Sequence, residues 1–217
     1  MYFKEFYTLA LMRLIVESPA PHLKESLSYY KNIGFQCSAW KNAYLCQTKS
    51  LSIFLNPDPY SRACLNLFGA QEKKTMVSPS GTWIKERKEK IKYSTIDTKS
   101  LLGNYAGVCI ETLDIEASFI FWQAEGFKGK LNLNASWCEL ENKNGNRLSL
   151  LRANSCPHLF TNPSLAFFNG PENSTIIQKI KALGLPVKQE VIFGEESSAE
   201  NLILNDSGGL GIFVFND

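Results

Sequence analysis

Along this chain the hydrophobic positions switch between two spacings, and the switch recurs in one order. Residues 12–17 (MRLIVE) are a short β-branched apolar run that predicts a strand. Ser18-Pro19-Ala20-Pro21 breaks it, and residues 22–33 (HLKESLSYYKNI) then place Leu23, Leu27, Tyr30 and Ile33 on one helical face. Gly34 stands where a left-handed residue closes a helix. Strand-like runs follow at 35–40, 43–48 and 51–56. The pairs between them, Lys41-Asn42 and Lys49-Ser50, have the length of tight hairpin turns. The unit reads β-α-β-β-β.

The same order returns at residues 107–113 (GVCIETL), a strand followed by Asp114 as N-cap of a helix over 116–125. Gly126-Phe127 closes this helix as Gly34-Phe35 closes the first. Strands are expected at 128–132, 137–141 and 147–152, the last two joined by a turn containing Asn144-Gly145. A third copy begins with 164–168 (SLAFF), turns at Asn169-Gly170-Pro171, and predicts a helix over 174–183 capped by Gly184. Its strands are 187–193, 201–204 and 211–215, with Asp206-Ser207-Gly208-Gly209 turning between the last two. Division of 217 residues into four copies gives about 54 each, a repeat architecture.

Residues 60–104 occupy the slot of a fourth copy and fit it poorly. Residues 62–69 read as a strand and 76–81 as a loop. Residues 83–92 (WIKERKEKIK) match a helix or an exposed hairpin, because their apolar positions follow neither period well. Their basic side chains, Lys85, Arg87, Lys88, Lys90 and Lys92, are expected on a solvated face.

The segments LIVESPAPHLKESLSYYKNIGFQ and AYLCQTKSLSIFLNP resemble the opening of a glyoxalase/bleomycin-resistance/extradiol-dioxygenase module, the vicinal oxygen chelate superfamily. Tyr29-Tyr30 before Gly34-Phe35, and Phe121-Trp122 before Gly126-Phe127, match that family's aromatic pair and Gly-Phe step. LILNDSGGLGIFVF looks like its Asp-x-x-Gly turn and closing strand. The resemblance implies an α+β fold in which tandem βαβββ modules pair into curved, cleft-forming mixed sheets, with the second module degenerate. Residues 1–103 would form one half (complete module 9–56, degenerate module 60–103). Residues 104–217 would form the other (modules 104–153 and 163–217).

Composition adds a compartment and removes several classes. With 44% hydrophobic and 20% charged residues the chain is an ordinary globular one. Its net charge of +2 gives no electrostatic reason for a nucleic-acid or membrane partner. The N-terminus carries Lys4, Glu5 and Arg13 and does not read as a signal peptide, so a cytoplasmic protein, monomer or homodimer, is expected. Six cysteines lie singly in apolar stretches with no C-x-x-C pair, which predicts reduced thiols packed in the core.

Metal chemistry is the family's usual resource, and here its positions are poorly filled. Laid on the family pattern, the first-strand ligand positions fall on Leu11 and Gly107, and the last-strand positions on Ser52, Ser149 and Phe213. None is a good divalent-metal ligand. The two histidines, His22 at a helix start and His158 beside Cys156, do not assemble a three- or four-ligand set. No cofactor and no metal are therefore expected.

Carboxylates and aromatics remain as candidates. Glu17 and Glu111 stand near the ends of equivalent first strands, and Glu139 and Glu141 alternate along one strand, facing the same way. A buried pair would suit acid-base work, but a solvated face is the expectation. Trp40, Tyr44 and Trp137 are the aromatics expected to line a cleft, although core packing must claim most such side chains. The reading is a metal-independent binder of a small, partly apolar molecule, with Glu17, Trp40, Tyr44, Glu111, Trp137 and Glu139 as ligand-binding candidates. Two alternatives stand beside it: a metal-dependent lyase, isomerase or dioxygenase with ligands at unusual positions, and a non-catalytic scaffold.

Overall fold

The computed structural model describes residues 13–91, 96–156, 158, 160–192 and 200–216. Leu11, Lys92 and Phe193, each part of an expectation above, lie outside the described residues. The first unit is β1 (Arg13–Pro19), α1 (Leu23–Asn32), β2 (Gln36–Trp40), β3 (Ala43–Gln47) and β4 (Ser52–Asn56). Gly34 ends α1 at φ +94°, a conformation open to glycine at little steric cost.

Three strands follow: β5 (Cys64–Phe68), β6 (Lys74–Val77) and β7 (Trp83–Arg87). β5 pairs parallel with β7, and β7 antiparallel with β6. These are the first, last and penultimate strands of a module. Only residues 69–73 join β5 to β6, too few for a helix, since α1 alone takes 10 residues. The segment from Trp83 is therefore neither helix nor exposed hairpin. It is a strand within the sheet, with Ile84 in the core and Trp83, Lys85 and Arg87 on the other face. Residues 76–81 are only partly loop, because Met76 and Val77 belong to β6.

The third unit is β8 (Tyr105–Thr112), α2 (Ile115–Ala124), β9 (Phe127–Gly129), β10 (Trp137–Asn142) and β11 (Arg147–Arg152). Asp114 caps α2 as expected, its carboxylate accepting from the Ala117 amide at 2.9 Å. β9 starts at Phe127 and stops at Gly129, short of the expected 128–132, ahead of a turn in which the Asn132 carbonyl accepts from the Ala135 amide. The fourth unit is β12 (Ser164–Phe168), α3 (Asn173–Ala182), β13 (Val187–Val191), β14 (Asn201–Asn205) and β15 (Gly211–Phe215).

The strands form two mixed sheets, one of 7 strands ordered β2-β3-β4-β1-β5-β7-β6 and one of 8 ordered β13-β14-β15-β12-β8-β11-β10-β9. Each is centred on an antiparallel pair of first strands, β1 with β5 and β8 with β12. One apolar core joins a face of both sheets to the helices, through Val16, Tyr30, Leu65, Ile84, Ile110, Trp122, Phe167 and Ile180 among others. The opposite, helix-free face of each sheet carries its own smaller cluster.

The cysteines depart from expectation. Cys37 and Cys46 face each other across the β2–β3 ladder, Cα atoms 4.0 Å apart, and are joined as a disulfide. The two-residue turn at Lys41-Asn42 sets that register, and sequence spacing alone does not reveal it. Cys64, Cys109 and Cys138 are buried free thiols, as expected of core cysteines. Among the described residues no helix is long and apolar enough to cross a membrane.

Candidate functional site

Strand alternation decides which side chains share the helix-free face of the first sheet. Glu17 pairs with Phe54 on β4 and Cys64 on β5. Two residues on, Asn66 pairs with Lys85, and Phe68 with Arg87, both on β7. Through Leu45 opposite Phe54 and Ala43 opposite Trp40, Trp40 falls on the same face. With Asn56, two residues after Phe54 on β4, the register gathers Glu17, the amides of Asn56 and Asn66, Lys85 and Arg87, the Cys64 thiol and the rings of Trp40, Phe54 and Phe68.

Glu17 is the centre of this set and is 0% exposed. Its Oε1 accepts from Asn56 Nδ2 at 2.7 Å and Lys85 Nζ at 2.8 Å. Its Oε2 accepts from Asn66 Nδ2 at 3.0 Å and lies 3.5 Å from Arg87 Nη2. Arg87 Nε donates to Asn66 Oδ1, so the amide is held in one orientation by both charges. The expectation of a solvated glutamate fails here, because β4 and β5 flank β1, β7 lies beyond β5, and the polar side chains of all three converge on this face. The solvated-face reading of the basic run fails for the same reason at Lys85 and Arg87, whose side chains are 28% and 20% exposed.

Burial alone would raise the Glu17 carboxyl. The hydrogen bonds from Asn56 and Lys85, the Lys85 charge and Asn66 outweigh it and hold the group below its ordinary value. Burial likewise works to lower the Lys85 ammonium, and its bond to Glu17 more than reverses that. Both groups are therefore charged at neutral pH. Burial, and then the Glu17 charge, push the Cys64 thiol up to about 12, which leaves it protonated and a poor nucleophile.

Aromatic rings wall this polar set. Trp40 meets Phe54 edge-on at 5.3 Å and Phe68 edge-on at 5.6 Å. The Arg87 guanidinium lies over both phenyl rings, 5.4 and 5.6 Å from their centroids. Ile15, Leu45 and Ile91 pack behind them.

The other candidates are dispersed. Tyr44 pairs with Leu55 and packs on the main core, on the face opposite Trp40. Alternation within β3 decides this, since Ala43 and Leu45 take the helix-free side. Glu111 is half-buried near the end of β8, where its Oε1 accepts from the Asn154 amide at 3.0 Å. Trp137, 51% exposed, and Glu139 share the outer side of β10 near the sheet edge. The middle of that helix-free face is filled by Cys109, Ala166, Ile203 and Phe213 with Phe160, Phe168 and Phe215. Asn56, Asn66, Lys85 and Arg87 were not among the candidates. The alternation of Lys85 and Arg87 was the available signal, hidden because Trp83, Ile84 and Ile91 obscure a period of two.

The donor set does not fit a divalent cation. Ser52 accepts from Gln47 at 3.0 Å, Ser149 lies opposite Cys109, and Phe213 packs against Phe160 at 5.1 Å. Gly107 has no side chain, and the position it would fill abuts the Arg147 carbonyl at 2.8 Å. Glu17 is already compensated by two cations, which would repel a third. Among the described residues no three His, Cys, Asp or Glu side chains converge. His22 is exposed at the start of α1, and His158 stands edge-on to Phe215 at 5.6 Å.

No protein-family model and no curated protein matches the chain. Solved structures do. A homoprotocatechuate 2,3-dioxygenase from Arthrobacter globiformis superposes with a TM-score of 0.63 at 11% identity, over 94% of this chain and 79% of that one. The Mn(II)-bound glyoxalase from Novosphingobium aromaticivorans gives 0.57 at 12% identity, over 94% and 81%. A halotolerant catechol dioxygenase gives 0.55 at 10% identity, over 94% and 86%. Two mixed sheets of βαβββ-type units, matched over nearly the whole chain, give this protein the fold shared by these two dioxygenases and this glyoxalase.

Proposed function

We propose that the chain binds a small, partly apolar molecule, without a metal, on the helix-free face of its first sheet. Trp40, packed on the buried rings of Phe54 and Phe68, forms the apolar wall, and Lys85 and Arg87, held by the buried Glu17, form the polar end. The buried Glu17 network carries this reading. A buried ion set is a poor way to stabilise a fold, since desolvation offsets much of the attraction. Polar groups converging beside an apolar wall are instead the usual composition of a ligand site. The second sheet favours a different role for its half. Its helix-free face is packed with its own phenyl rings, which suits a supporting scaffold.

Thermal unfolding with flat neutral aromatics such as 2-naphthol, on chelator-treated protein, tests the reading. A ligand at about 100 times its dissociation constant should add roughly 2.7 kcal/mol. The shift should vanish in Trp40→Ala. A shift that persists in that variant, or the absence of any shift across a panel of neutral, anionic and cationic aromatics, would overturn it.

A further inference from the structure

Charge on this face does not balance. Glu17 is the one acidic side chain that the described residues of β1–β7 present there. Against it stand Lys85 and Arg87, both within 4 Å of its oxygens. Arg62 adds another cation, its guanidinium 5.0 Å from the ring of Trp83, which precedes Lys85 by two residues on the same side of β7. The nearby acid Glu89 is already paired with Lys41 at 2.8 Å.

Donors are in excess as well. A guanidinium has five N–H groups and an ammonium three. Arg87 uses Nε on Asn66 and Nη2 on Glu17, and Nη1 has no hydrogen-bond partner among the described residues. Lys85 gives one N–H to Glu17 and lies beside the Cys64 thiol, which leaves a further donor. Both side chains keep a fifth or more of their surface exposed, so these donors are within reach of a ligand.

Resting on the binding reading above, we propose that the ligand of this face is an organic anion, a carboxylate on a flat apolar body, received by Arg87 and Lys85. Arg87 is suited to the carboxylate because a planar guanidinium edge offers paired donors to two oxygens. Arg87 itself covers Phe54 and Phe68, which are buried, so the apolar body of a ligand held by the guanidinium meets the partly exposed Trp40 ring packed edge-on beside them. Glu17 does not meet the ligand. It is a positioning residue that fixes the two cations and cancels part of their charge.

Titration calorimetry with 2-naphthoate, 2-naphthamide and 2-naphthylmethylamine separates charge from shape, because the three share one ring system. The expected order is naphthoate first, with naphthamide weaker by about tenfold or more, as when a site's polar groups lose their counterpart. Arg87→Met should abolish the preference, and Arg87→Lys should keep part of it. Glu17→Gln, which keeps the side-chain shape and removes the opposing charge, should strengthen naphthoate binding. A merely structural glutamate would not improve the affinity for an anion. Should Arg87→Met fail to fold, Arg87→Lys and Glu17→Gln still decide the matter.

Equal affinity for naphthoate and naphthamide would overturn the anion while leaving the binding reading intact. Preference for the amine, lost in Glu17→Gln, would overturn it by making Glu17 the recognition group. Binding of none of the three would overturn both readings.

Discussion

The Tyr30 hydroxyl donates to Asp206 Oδ2 at 2.8 Å across 176 positions of sequence, tying the first helix to the last hairpin turn. Ser18 donates to the same oxygen, while Oδ1 accepts from the amides of Gly208 at 2.9 Å and Leu210 at 2.8 Å. One carboxylate thus satisfies two side chains of the first unit and two amides of its own turn. Asp206→Ala leaves several buried donors without an acceptor, at about 1–3 kcal/mol each, and should cost roughly 3 kcal/mol or more. Tyr30→Phe keeps the edge-on contacts with Tyr29 and Phe35 and should cost only about 1 kcal/mol. Urea unfolding reads both as lowered midpoints. Equal costs would show that Asp206 serves Tyr30 alone.

The same turn docks through its backbone. A Cβ at Gly208 would stand 1.8 Å from the Pro19 carbonyl oxygen and 2.7 Å from Ser18 Oγ. Gly208→Ala must lift the turn off the end of β1 and break the Ser18–Asp206 bond with it. Gly126→Ala makes the useful comparison, because φ is +86° there and no atom lies near the added carbon. It should cost about 1–2 kcal/mol from backbone strain alone. Gly208→Ala should exceed it clearly in the same urea titrations, and an equal or smaller loss would mean the turn is not seated as described.

Much of this fold was legible because periodicity and punctuation agree. Gly34 and Gly126 close their helices at φ +94° and +86°, and Asp114 caps the second one. The truncated second unit was less legible, since Ile84 is the one residue of β7 that is fully buried and Lys85, Glu86 and Arg87 after it carry charge. The candidate site was half legible. Glu17 and Trp40 were found on their strands, but their partners come from β4, β5 and β7, and only the register brings them together. Tyr44, one residue from Ala43 on the site's face, was lost to the opposite face by alternation.

Cysteine chemistry is checked by counting thiols. Alkylation in denaturant without reductant should modify four cysteines, Cys64, Cys109, Cys138 and Cys156, and mass spectrometry should find Cys37 and Cys46 joined. Reduction should then release two more. In the native state Cys64 and Cys109 should react slowest, since burial raises both thiols to about 12 and only the thiolate attacks. Six reactive thiols before reduction would refute the cross-strand bond.

Acid should uncover the Glu17 network. Its carboxyl is lowered from the ordinary 4.5, so its contribution to stability is complete above that value and is lost as pH falls through the folded value. Lys85 is raised from 10.5, so its share holds through neutral pH and is lost only as pH rises through its folded value. Asp206 runs the other way. Burial raises its carboxyl despite the bonds from Ser18 and Tyr30, so its protonation favours the fold in acid and that benefit fades as pH rises. Urea midpoints measured between about pH 3 and 7 separate the two carboxyls. Glu17→Gln should be less stable than the parent at neutral pH, because Lys85 and Arg87 lose their counter-charge, and the two should converge as pH falls through the lowered value of the folded Glu17 carboxyl. Asp206→Asn should leave the Glu17 limb of the parent curve in place. Parallel curves for the parent and Glu17→Gln would mean that Glu17 titrates at its ordinary value, and the network would lose its claim to be a pre-formed charged site.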